Sequence, residues 1–332
     1  MAPLEMKHPR LQLYAMDTGS QQDAFAKDVA EGLVATRKFL LSKYFYDEDG
    51  SQLYEQICDL PEYYLYRAEQ EILVAYAAEI HAEIGHLALV ELGPGNASKT
   101  RHLLRQYEQV GQPFLYCPVD IARTMLLATS HQLLAEYRHI TIRAMHADFA
   151  GNPGVIQALQ VPRKAVAFFG SSLGNFTREE SVDFLRRTAD VMGSDDVFLL
   201  GIDLKKPPTI LVPAYADAQG VTAAFNLNLI RRINRELGGN FDLQRFEHVA
   251  VYNDMLGRIE MHLRSRTEHQ VTLANLGQTI SFTAGETIHT ENSYKYSVEE
   301  VRDLGQRANL ALHRTWFDSR RYFLLALFRP LG

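Results

Sequence analysis

The stretch LALVELGPGNASKT, residues 87–100, decides the fold. Its first six residues form a short apolar run of the kind that makes a buried strand. Gly93 and Gly95 then let the backbone turn tightly and approach a ligand closely. Ser98 is placed to cap a helix running to Val110. Ser98 also stands where a third glycine would complete GxGxxG, so the turn alone fits an ordinary strand-to-helix connection as well as a nucleotide site.

The chain on either side repeats the pattern. FLYCPVD (114–120) is a second predicted strand, followed by a helix from Ala122 to Tyr137. HITIRAMHAD (139–148) alternates and ends at an acid. AVAFFG (165–170) and VFLLGIDL (197–204) are further strands, separated by the loop SSLGNFT and a helix Arg178–Met192. Strands alternating with helices make a parallel sheet with crossover helices. Upstream, residues 1–20 read as a loose lead-in, Gln21–Leu41 as a helix, and Ala68–Ile84 as another. A tyrosine-rich segment with a DEDG turn lies between those helices. Regularity breaks at Lys205. KKPPTILVP is linker-like, Tyr215–Leu237 is a long amphipathic helix, and the residues from there to Tyr296 read as antiparallel strands. A helix at Ser297–Asn309 and a strand pair close the chain. The interruption predicts a discontinuous second module.

Composition narrows the function. With 332 residues, about two domains, or one large one, are expected. A net charge of −6 lacks the basic footprint of a duplex nucleic-acid binder. Cys58 and Cys117 form no CxxC pair, which excludes a disulfide scaffold or a four-thiolate zinc site and suits a reducing cytosol. The first residues lack the apolar core of a signal peptide, and no apolar run reaches the roughly 18 residues of a membrane span. A cytoplasmic monomer with neither nucleic-acid nor membrane partners is the expectation.

Acidic residues recur at the predicted strand ends. Glu91 precedes the glycine turn, Asp120 ends the second strand, and Asp148-Phe149 ends the third. A carboxylate after the second strand can accept both ribose hydroxyls, and an Asp beside an aromatic ring can hold an adenine. Taken singly, each Asp is also a good turn former. A Walker loop is absent. NAD remains open, but the glycine fingerprint is incomplete. S-adenosylmethionine, which has no pyrophosphate and carries a sulfonium, suits the turn and the acids.

This arrangement resembles the class I S-adenosylmethionine-dependent methyltransferases. More specifically, six blocks are similar to the histidine Nα-methyltransferase family of ergothioneine biosynthesis, which also includes fungal enzymes acting on tryptophan derivatives. The blocks are FYDEDGSQLYEQICDLPEYYLYRAEQEIL (45–73), ELGPGNASKTRHLL (91–104), FFGSSLGNF (168–176), AYADAQGVTAAFN (214–226), IEMHLRS (259–265) and IHTENSYKY (288–296). The resemblance implies a Rossmann-like α/β sheet (68–204 and 296–332) with a smaller α+β substrate domain (1–67 and 205–295), and an active site between them. It implies trimethylation of the α-amine of L-histidine to hercynine. It places Gly93, Gly95, Lys99, Asp120, Asp148, Phe149 and Gly170 at the cofactor, and Asn175, Tyr63 and Tyr215 on the amino acid backbone. Tyr46 falls near the methyl transfer, and Met261, Glu291 and Ser293 around the imidazole. Glu291 and Ser293, two apart on a strand, share a face.

Other readings compete. Sixteen tyrosines mostly pack, and Asn175 also suits a plain Gly-Asn turn. Among twelve histidines, His146-x-Asp148 and Glu260-x-His262 are the tight acid–histidine pairs, and neither supplies three metal ligands, so no metal is expected. A different amino acid substrate, or a non-catalytic nucleotide-binding protein on the same scaffold, are the alternatives.

Overall fold

The computed structural model describes residues 5–16, 21–152 and 154–331. In chain order the strands are β1 (Glu5–His8), β2 (Leu11–Ala15), β3 (Ala88–Leu92), β4 (Phe114–Asp120), β5 (Ile140–His146), β6 (Lys164–Phe168) and β7 (Val197–Asp203). They continue as β8 (Phe246–Asn253), β9 (Arg258–Ser265), β10 (His269–Leu273), β11 (Gln278–Phe282), β12 (Thr287–Tyr294), β13 (Leu310–Phe317) and β14 (Phe323–Pro330). The chain divides into two units. One gathers the described residues within 1–17, 65–205 and 295–332; the other gathers those within 18–64 and 206–294.

The first unit is built on a nine-stranded sheet, ordered β1-β2-β5-β4-β3-β6-β7-β14-β13. From β3 the chain steps outward through β4 and β5, then returns to β6 on the other flank of β3. The crevice at the carboxyl ends of β3 and β6 is therefore the switch point, where open α/β sheets bind ligands. Strands β6 and β7 are buried along their whole length, as a sheet covered by helices on both faces requires. β14 runs antiparallel to β7 and β13 antiparallel to β14. Helices Arg178–Ala189 and Val298–Arg307 each open on a capping box, Thr177 with Glu180 and Ser297 with Glu300.

The second unit holds helices Gln21–Val34, Glu48–Asp59 and Val221–Leu237, a three-stranded sheet β12-β9-β8 and the hairpin β10-β11.

Four local expectations are corrected. Within the loose lead-in, Leu11–Ala15 pairs parallel with β5, burying Leu11 and Leu13, so this part of 1–67 joins the sheet unit; residues 1–4 and 17–20 lie outside the described residues. The first helix stops at Val34 instead of Leu41, because Lys38 and Leu40 hydrogen-bond the main chain of His289. Ser98 caps nothing: the helix begins at Arg101, and Ser98 Oγ accepts from Tyr66. The helix expected from Tyr215 begins at Val221, where Asp217 accepts from the N–H groups of Val221 and Thr222.

Candidate active site

At the switch point the glycine turn is held by its neighbours. Gly93 (φ +68°) and Gly95 (φ +55°) adopt the left-handed backbone that favours glycine. Gly93 N donates to Val119 O at 2.8 Å, and a Cβ on Gly93 would touch the Phe149 ring at 3.6 Å. Asp120 Oδ2 accepts from Gly95 N at 3.3 Å and Oδ1 from Ala122 N at 2.8 Å. Burial raises the Asp120 carboxyl above its ordinary range, against the pull of those N–H groups. Asp148 Oδ1 accepts from Ala150 N and Gly151 N, both at 3.1 Å, so it shapes its own turn as well. Beneath the turn, Glu91 accepts from Thr100 Oγ1 and Tyr116 OH, both at 2.5 Å. Burial pushes its carboxyl up to about 7.

Glu69 was not legible as a site residue. It is fully buried in helix Tyr64–Ile84, ion-paired with Lys99, and both its oxygens accept from Gly170 N at 3.0 and 2.9 Å. One carboxylate thus ties the glycine turn's lysine to the loop after β6. A Cβ on Gly201 would lie 2.0 Å from Glu69 Oε1, so only glycine there admits it. Nothing in an amphipathic helix marks one Glu as buried; the signal was a glycine inside the apolar strand VFLLGID. The same loop is fixed again at Ser171, whose Oγ accepts from Asp203 N at 2.9 Å. Ser171 holds φ +59°, unusual for a residue with a side chain. Half-buried Asn175 ends the short 3₁₀ turn that follows.

In the second unit an aromatic cluster gathers Tyr46, Tyr63 and Tyr215. Tyr54 packs edge-on to Tyr46 (5.6 Å between centroids) and to Tyr63 (6.4 Å), and Tyr63 packs on Tyr215 (6.2 Å). Phe225 touches Tyr46 and Tyr54 from the helix Val221–Leu237. The sequence did not single out Tyr54 or Phe225. Tyr46 is set by Asp47, which caps helix Glu48–Asp59 and accepts from Asn228 Nδ2 at 2.7 Å. Burial, then the neighbouring phenols, holds the Tyr63 hydroxyl well above its ordinary pKa, so it stays protonated.

The strand residues meet on β12 and β9. Glu291 lies directly opposite Met261, and the Ser293 and Tyr215 hydroxyls are 2.7 Å apart. His248 Nε2 reaches Tyr215 O at 2.7 Å while its Nδ1 faces Asn226 Nδ2 at 2.9 Å. A carbonyl accepts only, so the proton of His248 sits on Nε2. Among the described residues no three His, Cys, Asp or Glu side chains gather as a metal site would require, and no helix is long and apolar enough to cross a membrane.

Comparison with known proteins identifies the family. Residues 25–330 match the family described as histidine-specific methyltransferase, SAM-dependent. The chain is 43% identical to a histidine N-alpha-methyltransferase of Mycolicibacterium smegmatis, over 93% of its own length and 95% of the relative's. It is 40% identical to one of Mycobacterium tuberculosis, over 92% and 94%. A 4-dimethylallyltryptophan N-methyltransferase of Trichophyton verrucosum is 27% identical, over 89% and 90%.

Proposed function

The chain belongs to the histidine-specific, S-adenosylmethionine-dependent methyltransferases, and from that premise we propose that it methylates the α-amine of L-histidine three times, to hercynine. The observation that carries the reading is the identity to histidine N-alpha-methyltransferases along almost the whole chain. S-adenosylmethionine supplies an electrophilic methyl on a sulfonium. The residues present fit it: a Cβ on Gly95 would meet nothing within 4 Å, leaving open space above the turn, and the Asp120 carboxylate stands at its rim. Gly93, Gly95, Lys99, Asp120, Asp148, Phe149 and Gly170 are assigned to the cofactor.

The other residues act on the amino acid. The Asn175 amide offers a donor and an acceptor, so it can hold an amine whose proton count changes. An α-amine has a pKa of about 8, and burial favours its neutral form. No strong base is therefore required, and the protonated Tyr63 phenol orients instead of abstracting. The rings of Tyr46, Tyr54, Tyr63, Tyr215 and Phe225 give a trimethylammonium group a face of matching polarity. Glu291 accepts one imidazole N–H and Ser293 meets the other nitrogen, with Met261 filling the apolar side.

The test is mass spectrometry of products after incubation with S-adenosylmethionine and each of the twenty amino acids. Trimethylated histidine as the main product is expected. Preferential methylation of tryptophan, or no product at all, overturns the reading.

A further inference from the structure

Strand β12 carries an offset that changes which way its second half faces. Ile288 pairs with Leu263 and His289 with His262, but the next pair is Glu291 with Met261. Thr290 is the extra residue of a β-bulge. Directly opposed residues in an antiparallel pair point to the same face. Along β9, Ile259, Met261 and Leu263 share one face, and Arg258, Glu260 and His262 the other. Ile288 lies on the Met261 face. Strict alternation from Ile288 would put Thr290, Asn292 and Tyr294 on that face, and Glu291 and Ser293 on the opposite one. The bulge inverts this. Glu291 and Ser293 pair with Met261 and Ile259, while Asn292 and Tyr294 pair with Glu260 and Arg258. Two contacts agree: Ser293 reaches Tyr215, and Arg258 Nη1 donates to Tyr294 OH at 2.6 Å.

The extra residue is fastened from several sides. Thr290 is 2% exposed, and its Oγ1 donates to Met261 O at 3.0 Å. His289 Nε2 donates to Glu291 O at 3.0 Å, and its ring stacks on His262. The main chain of His289 bonds Lys38 O at 2.9 Å and Leu40 N at 2.8 Å on the side away from β9.

We infer that Thr290 is a positioning residue for substrate choice: the bulge it forms, locked to Met261 O, turns Glu291 and Ser293 onto the face they need to read an imidazole. The inference rests on the assignment of Glu291 and Ser293 to the substrate ring. Bulges elsewhere re-aim side chains beside active sites in the same manner.

The experiment measures kcat/KM for histidine and for tryptophan in Thr290→Val, Thr290→Ser, Glu291→Ala and the Thr290→Val/Glu291→Ala pair, with cofactor Kd for each. Thr290→Val keeps the side chain's shape and loses the hydroxyl, so the histidine-to-tryptophan ratio should fall about tenfold. Thr290→Ser should restore it to within about twofold, and cofactor affinity should hold within the same margin in all variants. In the Glu291→Ala background, Thr290→Val should change the ratio less than it does alone, the remainder passing through Ser293. A ratio that falls with Glu291→Ala but not with Thr290→Val overturns the inference and leaves the substrate assignment standing. Additive effects of the two substitutions also overturn it. A ratio indifferent to Glu291→Ala overturns the substrate assignment, and the inference falls with it.

Discussion

In the sheet unit the candidate groups gather at strand ends, and main-chain N–H groups hold them: Asp120, the last residue of β4, by Gly95 and Ala122, and Glu69, from helix Tyr64–Ile84, by Gly170. In the second unit Glu291 and Ser293 lie within a strand and Tyr46 between two helical segments, and they are held by register and by other side chains: Glu291 by the offset at Thr290, Ser293 by Tyr215, Tyr46 by its aromatic neighbours. The first arrangement fixes charged groups. The second presents phenols, a hydroxyl, a thioether and a single carboxylate. A loop after a strand tolerates change in its neighbours, because its geometry is local. A strand residue inherits its direction from every residue before it in the pairing, so one insertion redirects all that follow.

The largest effect is expected where direction matters most. Glu291→Ala removes the one carboxylate assigned to the imidazole. A site built to pair a polar ring rejects an unpaired analogue by on the order of 10⁴. The histidine-to-tryptophan ratio of kcat/KM should therefore drop by about 10²–10⁴, and further when Met261→Val widens the same face. An unchanged ratio would remove the distinction between the units, since neither would then carry substrate choice.

Glu69 tests the other side. Glu69→Ala deprives Lys99 of this carboxylate and leaves Gly170 N without its acceptors. Breaking a buried charge pair costs about 3–5 kcal/mol. Urea unfolding should show a loss of that size, with Glu69→Gln smaller because an amide oxygen can still accept from Gly170 N. A loss below about 1 kcal/mol would mean that the two loops hold themselves and that Glu69 is a bystander.

The same contrast governs what the sequence discloses. The glycine turn, Asp120 and Asp148-Phe149 were legible because turn residues and strand-end acids carry their geometry in their own chemistry. The parallel sheet with crossover helices followed from the alternation of strands and helices. β2 went unread because LQLYA offers only five residues of alternation. Glu69 went unread because a helix pattern does not say which polar residue faces inward. On β12 the reading that Glu291 and Ser293 share a face is correct for any strand. Which face they share depends on Thr290, and a bulge with no glycine leaves no mark in the residue pattern. Tyr54 and Phe225 are ordinary aromatic residues until the helices bring them to Tyr46.

A smaller effect is expected at the cofactor end. Asp120→Ala removes a charged acceptor for the ribose hydroxyls, an interaction worth about 1.5–3 kcal/mol. Calorimetry should show at least about tenfold weaker binding of S-adenosylmethionine, with the fold retained. Unchanged affinity would take Asp120 out of the cofactor site and leave it as the brace of Gly95 alone.

The smallest effect separates the units by the sign of a titration. Burial pushes Glu91 up to about 7 in the folded chain, from an ordinary value of 4.5. Between those values the folded state binds a proton that the unfolded state has released, so this group's contribution to stability falls as pH rises and levels off above about 7. The half-buried histidines of the second unit, His248, His262 and His289, run the other way. Burial lowers each, so the unfolded state takes up their protons first and stability falls as pH drops below about 6.5. Glu91→Gln cannot titrate and keeps a polar group against Thr100 and Tyr116. Its stability relative to the parent chain should therefore climb as pH rises from 4.5 towards 7, by about 1–3 kcal/mol, and stay level above that. Urea midpoints taken at half-unit steps of pH would read the curve. A difference that is flat across this range would mean that Glu91 is ionised in the folded chain at low pH, its two hydroxyl donors outweighing its burial, and the contrast with the histidines would vanish.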